Sequence, residues 1–345
     1  MKWRCLWALP LIGLSAVCAH AETPVPPTFA TQFITVEKDV RLEVVDWGGA
    51  GRPLILLAPL GAGAHGFDSF APKLTTVFHV FGISRRGFGG SSIPDSGYSA
   101  DRLGDDVVAV IDVLGLKRPI LVGHSIAGEE LSSVGFRYPE KVAGLVYLEA
   151  GYSFALYDTE HGDLTIDSLE LKRQLGGLLP GGGRPDQKRL TEELIRSVAQ
   201  IQKDLLDRRK ELQDQPDIPR PAPGWKPPVI PVPILGILSG MQRYTELGPV
   251  PVLAIFAVPH DLSDMFKGNP EGQAKAEADD LAKTEAQAAA FAREVPHARV
   301  VRIPHASHAI FDSNEADVLR EIFAFERALS AVPVVTPSAA KSGAQ

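Results

Sequence analysis

The feature that most constrains the fold is the alternation of short apolar runs with segments that have helical periodicity. The runs at 54–58, 144–148 and 252–257 are continuously apolar, as strands buried on both faces are. Between the first two runs, residues 99–114 place apolar side chains three and four positions apart, which predicts an amphipathic helix. This alternation predicts an α/β fold with a mostly parallel central sheet flanked by helices.

The composition is that of a globular protein, and the charge argues against some partners. Of the 345 residues, 45% are hydrophobic and 22% are charged, which is enough apolar material for a large core. The formal net charge of -7 comes without basic clusters, so the sequence indicates neither nucleic acid nor an anionic membrane as a partner.

The N-terminal segment has the pattern of a secretory signal. Lys2 and Arg4 precede the apolar run "CLWALPLIGLSAV", and "AHA" follows as a cleavage motif. The pattern predicts that 1–21 is removed on export to the periplasm or the medium. The apolar run is too short to span a bilayer, so we expect no integral membrane association. The alternative is a lipoprotein acylated at Cys18, although bulky Val17 stands where a small residue is usual.

The strand and helix rhythm is interrupted once, in the second half of the chain. Residues 152–247 include a charged helical segment and a proline-dense stretch at 215–233 that cannot be a regular helix or a central strand. We interpret 152–247 as a cap inserted between two parts of one core, 22–151 and 248–332. The residues from 333 onward are predicted to form a flexible tail.

The stretch "GHSIAG" places Ser125 between a buried strand and a helix. A serine hydroxyl needs a base and an exposed position before it can attack a substrate, and a tight strand-to-helix turn supplies the exposure. Such a turn needs small residues two positions before and two after, and Gly123 and Ala127 are both small. The alternative is an ordinary helix cap, for which serine is also favoured.

The sequence resembles the α/β-hydrolase superfamily over about Gln32 to Leu329. The resemblance implies a nucleophile elbow at Ser125, a catalytic histidine near the C-terminus and an acid between them in sequence. It also implies an oxyanion hole formed by the backbone N–H groups of Leu60 and Ile126. The segments that carry it, in chain order, are "LILLAPLGAG", "SRRGFGGSS", "GHSIAG", "LAIFAVPHD" and "PHASHAIF".

The resemblance assigns the base and the acid with alternatives. His308 is the expected base, with His305 as the other histidine on the same loop. Asp261, after the strand at 252–257, is the expected acid, and Glu149, at the end of the preceding strand, is the alternative because some relatives carry the acid there.

Together with the resemblance, these residues predict a serine hydrolase that cleaves carboxylic esters through an acyl-enzyme, with a small-molecule ester as substrate. Amide or iminopeptide cleavage, carbon–carbon bond hydrolysis and perhydrolysis use the same triad and stay open, as does a non-catalytic binding protein. Serine at the elbow argues against epoxide hydrolase and haloalkane dehalogenase chemistry, for which the superfamily uses aspartate. No phosphate loop follows the glycine-rich segments, and the histidines do not cluster in the sequence at metal-ligand spacing, so no cofactor and no metal are expected.

Overall fold

The computed structural model describes residues 29–331 except 153, 160–161, 180–185, 214–225 and 227–228. The predicted signal segment, the tail from 333 and most of the proline-dense stretch lie outside the described residues. Cleavage at Ala21 and acylation of Cys18 therefore stay predictions, as do the boundaries given above for core and cap.

Within the described residues, one sheet of eight strands, numbered β1 to β8 in chain order, forms the centre of the fold. The order of the strands in the sheet is β1-β2-β4-β3-β5-β6-β7-β8. The first two strands pair antiparallel, and β2 also runs antiparallel to β4, whereas β3 to β8 are parallel neighbours. The predicted α/β class with a mostly parallel sheet is confirmed. The strands are β1 (Ala30–Glu37), β2 (Val40–Gly48), β3 (Arg52–Leu57), β4 (Phe78–Ile83), β5 (Ile120–His124), β6 (Gly144–Leu148), β7 (Val252–Ala257) and β8 (Ala298–Ile303).

Helices cover both faces of this sheet. Successive residues of a strand point to opposite faces, so Leu54 and Leu56 pack into one apolar cluster while Ile55 and Leu57 pack into the other. The helices are α1 (Ala71–Leu74), α2 (Ala100–Val113), α3 (Gly128–Arg137), α4 (Leu164–Gly177), α5 (Gln187–Gln213), α6 (Val232–Gly240), α7 (Pro270–Glu294), α8 (Ile310–Ser313) and α9 (Glu315–Ala331). The first cluster receives side chains from α1, α8 and α9, and the second from α2, α3 and α7.

The helix predicted at 99–114 illustrates why the local sequence folds as it does. Ser99 is extended and its side chain accepts a hydrogen bond from the N–H of Arg102, which caps α2. Val107, Val110 and Ile111 face the sheet and are buried. The helix ends before Gly115, whose φ of +63° is a left-handed conformation that glycine adopts easily.

Among the described residues between β6 and β7, three helices, α4 to α6, lie where the sequence predicts a cap. Ile166 of α4 and Ile237 of α6 share an apolar cluster with Ile126, which follows β5, and with the partly buried Leu60, which follows β3. The helices α4 and α6 therefore pack at the carboxyl edge of the sheet, where open α/β folds bind ligands. Within the described residues, no helix is both long enough and apolar enough to span a membrane.

Candidate active site

Ser125 lies at the turn between β5 and α3. Its φ of +56° is in the left-handed region, which is unfavourable for a residue with a side chain and is retained mainly at functional sites. The turn continues as a short 3-10 helix over Ser125–Ala127 before α3 begins. This strained strand-to-helix turn has the geometry of a nucleophile elbow.

Close packing explains the small residues around the elbow. A Cβ at Gly123 would lie 2.9 Å from Leu131 Cδ1 and 3.1 Å from Ala127 Cβ. A Cβ at Gly128 would lie 2.3 Å from the carbonyl oxygen of Ala150, a backbone atom that cannot easily move. Gly128 is thus required where α3 passes the end of β6, which gives the displaced glycine of "GHSIAG" a steric reason.

The glycine-rich loop after β3 begins with a turn from Pro59 to Ala62. The N–H of Ala62 donates to Pro59 O (3.3 Å), and Gly61 has a φ of +86°, as a type II turn requires at its third position. The bond across this turn is donated by Ala62, so it does not use the N–H of Leu60. The role of Leu60 and Ile126 as oxyanion donors stays a prediction, and both side chains contact the same apolar cluster.

Arg85 connects this loop to the helix that follows the elbow. Its guanidinium donates to both carboxylate oxygens of Glu130 at 2.8 Å and to the carbonyl oxygens of Ala58 (2.7 Å) and Pro59 (3.1 Å). Arg85 and Glu130 are both buried, so the pair is shielded from solvent screening. Arg85 therefore anchors the loop to α3 by hydrogen bonds.

Glu149 stands directly after β6 with a φ of +48° and a side chain only 8% exposed. Its Oε1 accepts the backbone N–H of Ala257 at the end of β7, and its Oε2 lies 3.4 Å from Nδ1 of His308. Burial alone raises the pKa of this carboxyl, but hydrogen bonds from His260, His308 and Ala257 outweigh it and lower the pKa to about 2. Glu149 is therefore ionised at neutral pH.

His308 is held by its backbone as well as by Glu149. Nε2 of the buried His124 donates to the carbonyl oxygen of His308 at 2.7 Å, and the two rings lie 4.8 Å apart. Burial is the main reason that the pKa of His124 falls to about 4, so this ring is neutral. His124, the residue before Ser125, thus positions the loop that carries His308.

Asp261 and His305 lie in other surroundings. The exposed carboxylate of Asp261 accepts the N–H of Ser263 at 2.9 Å. A hydrogen bond from the Ser263 side chain is the main reason that the pKa of Asp261 is lowered, and this backbone bond is the second. His305 has a φ of +52°, and its N–H donates to Pro259 O. Among the described residues, the carboxylate beside His308 is that of Glu149. The geometry therefore favours the alternative acid, Glu149, over Asp261, and the assignment of the acid stays a prediction.

His260 was not singled out from the sequence, yet it contacts the same carboxylate. Its Nε2 lies 2.7 Å from Glu149 Oε2, and its Nδ1 lies 3.1 Å from both oxygens of Asp280 on α7. The bond to Glu149 is the largest contribution that raises the pKa of His260 to about 9, so the ring is cationic at neutral pH. The sequence feature that could have identified His260 is the histidine of "PHD", which comes shortly after the buried strand β7.

One group of side chains has the spacing of metal ligands, in the part of the chain that the structure describes. Glu149, His260 and His308 each offer one ligand atom, and these atoms lie within 4.8 Å of one another. The histidines are distant in sequence, which is why their spacing in the chain gave no indication of such a group.

The chain is similar to several known hydrolases. Epoxide hydrolase A of Mycobacterium tuberculosis is 27% identical over 195 residues, which are 46% of this chain and 59% of that protein. The bifunctional esterase/perhydrolase DCH of Acinetobacter calcoaceticus is 32% identical over 126 residues, which are 34% and 44% of the two chains. The chain thus spans about half the length of the curated relatives it matches.

Solved structures share the fold, and a family model matches most of the sequence. The crystal structure of E-2-(acetamidomethylene)succinate hydrolase aligns with a TM-score of 0.55 at 22% identity, covering 87% of this chain and 100% of that chain. At this level of identity the likeness shows the fold alone. The alpha/beta hydrolase family model matches residues 54–321. The chain therefore belongs to the alpha/beta hydrolase family.

Proposed function

We propose that this chain hydrolyses carboxylic esters through an acyl-enzyme, with Ser125 as nucleophile, His308 as base and Glu149 as the acid that orients His308. The observation that carries the proposal is the contact between Glu149 Oε2 and His308 Nδ1, formed at the strand edge where Ser125 occupies a left-handed turn. The nucleophile follows β5, the acid follows β6 and the base follows β8, so the three groups come from three different loops at the carboxyl ends of these strands.

The proposed mechanism assigns one task to each group. With Nδ1 facing Glu149, His308 has Nε2 left to accept the proton of Ser125 as its oxygen attacks the ester carbonyl. The negative oxygen that develops is stabilised by the N–H groups of Leu60 and Ile126. Water activated by the same histidine then releases the acyl group. The distance of 3.4 Å is long for a hydrogen bond, and such contacts often tighten only when substrate binds.

The surroundings of the proposed oxyanion hole favour an apolar group on the substrate. Ile126 and Leu60 pack with Ile237 of α6 and with Tyr98, which are also apolar or aromatic. A carbonyl at the oxyanion hole would bring its acyl or aromatic group against this surface. Glu129, which lines a small cavity beside Ile126, is deeply buried, and burial raises its pKa well above the ordinary value. A neutral Glu129 would be a hydrogen-bond donor in this cavity, which the buried ion pair of Arg85 and Glu130 also lines.

Other hydrolytic reactions on the same three residues form the second candidate. Relatives include 2-hydroxymuconate semialdehyde hydrolase of Pseudomonas sp., 34% identical over 113 residues, as well as the esterase/perhydrolase. Parallel assays of ester, amide and diketone substrates separate these reactions. A preference for amides or diketones by orders of magnitude would replace the ester assignment and leave the triad in place.

The nucleophile is tested with Ser125→Ala and a fluorophosphonate probe. We expect the variant to lose at least about 1,000-fold in kcat on p-nitrophenyl esters and to lose labelling. The matched control is Ser239→Ala, which removes an exposed serine of α6 and should retain both activity and labelling. Unchanged turnover by Ser125→Ala would remove this residue from the mechanism, and an unlabelled wild-type protein would favour a binding protein that lacks catalysis.

A further inference from the structure

We propose that Glu149, His260 and His308 form a binding site for a zinc-class divalent ion, and that an ion bound there inhibits the enzyme. The binding step stands on geometry alone, whereas the inhibition rests on the proposed function. The three side chains supply one carboxylate oxygen and two imidazole nitrogens, which is a donor set that zinc uses in proteins. A solvent molecule would complete a tetrahedral ion.

The separations of the carboxylate oxygen from the two imidazole nitrogens are near those that such an ion requires, and the two nitrogens lie within 4.8 Å of each other, so the rings must approach to share one ion. Zinc bonds of 2.0–2.1 Å in a tetrahedral site place neighbouring ligand atoms about 3.4 Å apart. Glu149 Oε2 and His308 Nδ1 are separated by 3.4 Å. Oε2 and His260 Nε2 are separated by 2.7 Å, so this ring must withdraw by several tenths of an ångström to admit the ion.

Asp280 gives His260 the support that metal-bound histidines have in proteins. Its carboxylate lies 3.1 Å from Nδ1 of His260 and also accepts the backbone N–H of that residue at 2.7 Å. A histidine held through Nδ1 presents Nε2 as the ligand atom, and such a carboxylate partner typically changes metal affinity 10–100-fold. The pairing with Asp280 thus fixes the orientation of the ring, and binding of the ion releases the proton that Nε2 shares with Glu149.

An ion from solution can reach this site. The His308 side chain is 54% exposed and that of His260 is 23% exposed, while Glu149 is 8% exposed at the base of the group. Another histidine–carboxylate pair in the described residues, His79 with Asp46, brings two potential ligands together at 2.9 Å. It therefore provides a control for weak binding to surface histidines.

Occupancy would block the reaction at the base. An ion on Nδ1 of His308 takes Glu149 away from the imidazole and places positive charge beside the ring. A proton can then no longer be accepted from Ser125 at the same ring without strong repulsion. Zinc is expected to lower kcat more than it raises KM, because it acts on the base and not on the apolar pocket.

Binding is tested on the Ser125→Ala protein after treatment with a chelator, by calorimetric titration with Zn²⁺ and by absorption of the Co²⁺ form. We expect one ion per chain and a tetrahedral cobalt spectrum. His260→Ala should lose at least tenfold in affinity, and Asp280→Asn, which keeps all three ligands, should lose about 10–100-fold. His79→Ala should bind as the parent does. Circular dichroism checks that each variant is folded.

Inhibition is measured on otherwise wild-type protein with a p-nitrophenyl ester. Zinc should inhibit, a chelator should restore the rate, and the half-inhibitory concentration should rise in Asp280→Asn by the same factor as the dissociation constant. Equal zinc affinity in the parent and in folded His260→Ala, or no binding at all, would overturn the site. Tight binding to Ser125→Ala without inhibition of active wild type would overturn only the inhibition, and an inactive wild type would instead count against the proposed function.

Discussion

Glu149 and His260 form an ion pair in which Oε2 lies 2.7 Å from Nε2, while His308 approaches the same oxygen to 3.4 Å. The carboxylate beside the proposed base is thus shared between two imidazoles, of which one is cationic. His260 therefore acts as a positioning residue, since it holds Glu149 and lowers the negative charge available to His308.

The first prediction separates the two acids named from the sequence. Glu149→Gln should lower kcat/KM on a p-nitrophenyl ester about 10,000-fold, because His308 loses the partner that fixes its tautomer and stabilises its cation. Asp261→Asn removes an exposed carboxylate that binds Ser263 and should stay within about threefold of wild type. Steady-state kinetics on variants that are shown to be folded measures both effects. A large loss of kcat/KM in Asp261→Asn with little loss in Glu149→Gln would make Asp261 the acid.

The second prediction concerns the pH profile of His260→Gln. In the wild type, cationic His260 lies with its ring 6.5 Å from that of His308, with Glu149 and Asp280 as the carboxylates that face it. Removing the positive charge leaves the negative charge of Glu149 to His308 alone, so the acidic limb of kcat/KM should move to higher pH by about one unit. His79→Gln, distant from the site, should leave the profile in place. A limb that stays or moves to lower pH would show that His260 serves the fold alone.

The third prediction follows from the buried His124. Its pKa falls to about 4 in the folded protein, below the ordinary value of 6.5, mainly through burial. The neutral ring therefore contributes stability at pH above 6.5, and this contribution is lost as the pH falls from 6.5 towards 4. The maximum loss is about 3 kcal/mol. Urea unfolding across this range should show a shallower decline for His124→Asn, and equal slopes would contradict the prediction.

The fourth prediction compares two helical glycines. Gly128→Ala would place Cβ 2.3 Å from Ala150 O and should destabilise the protein by about 1–3 kcal/mol or more. Gly176, exposed near the end of α4, has nothing within 4 Å of an added Cβ, so Gly176→Ala should stabilise by about 0.5–1 kcal/mol. The free energy of unfolding in urea measures both changes. A neutral Gly128→Ala would mean that the elbow can shift to make room.

The elbow was predictable because its requirements are local. A buried strand, a small residue on either side of Ser125 and a following helix all stand within a few positions, and the left-handed φ agrees with the pattern. The parallel sheet was predictable for a related reason, since strands buried on both faces need apolar residues at every position.

The acid was harder to predict because it depends on which way two side chains point. Glu149 and Asp261 both follow strands that are neighbours in the sheet, and each precedes His308 in the chain. The contact that distinguishes them joins residues 159 positions apart. His260 was not predicted for the same reason. Its partner Glu149 follows another strand, β6, and its partner Asp280 lies on the helix α7.

The bond from the backbone N–H of Ala257 to Glu149 has a consequence for the order in which the protein becomes competent. It links residues 108 positions apart, across the whole segment that contains α4 to α6. A nascent chain that has emerged only as far as β6 carries the elbow but neither the strand that orients its acid nor the loop that carries His308. Under the proposed mechanism, such a chain does not hydrolyse esters. Ser125 therefore becomes reactive only when synthesis is nearly complete.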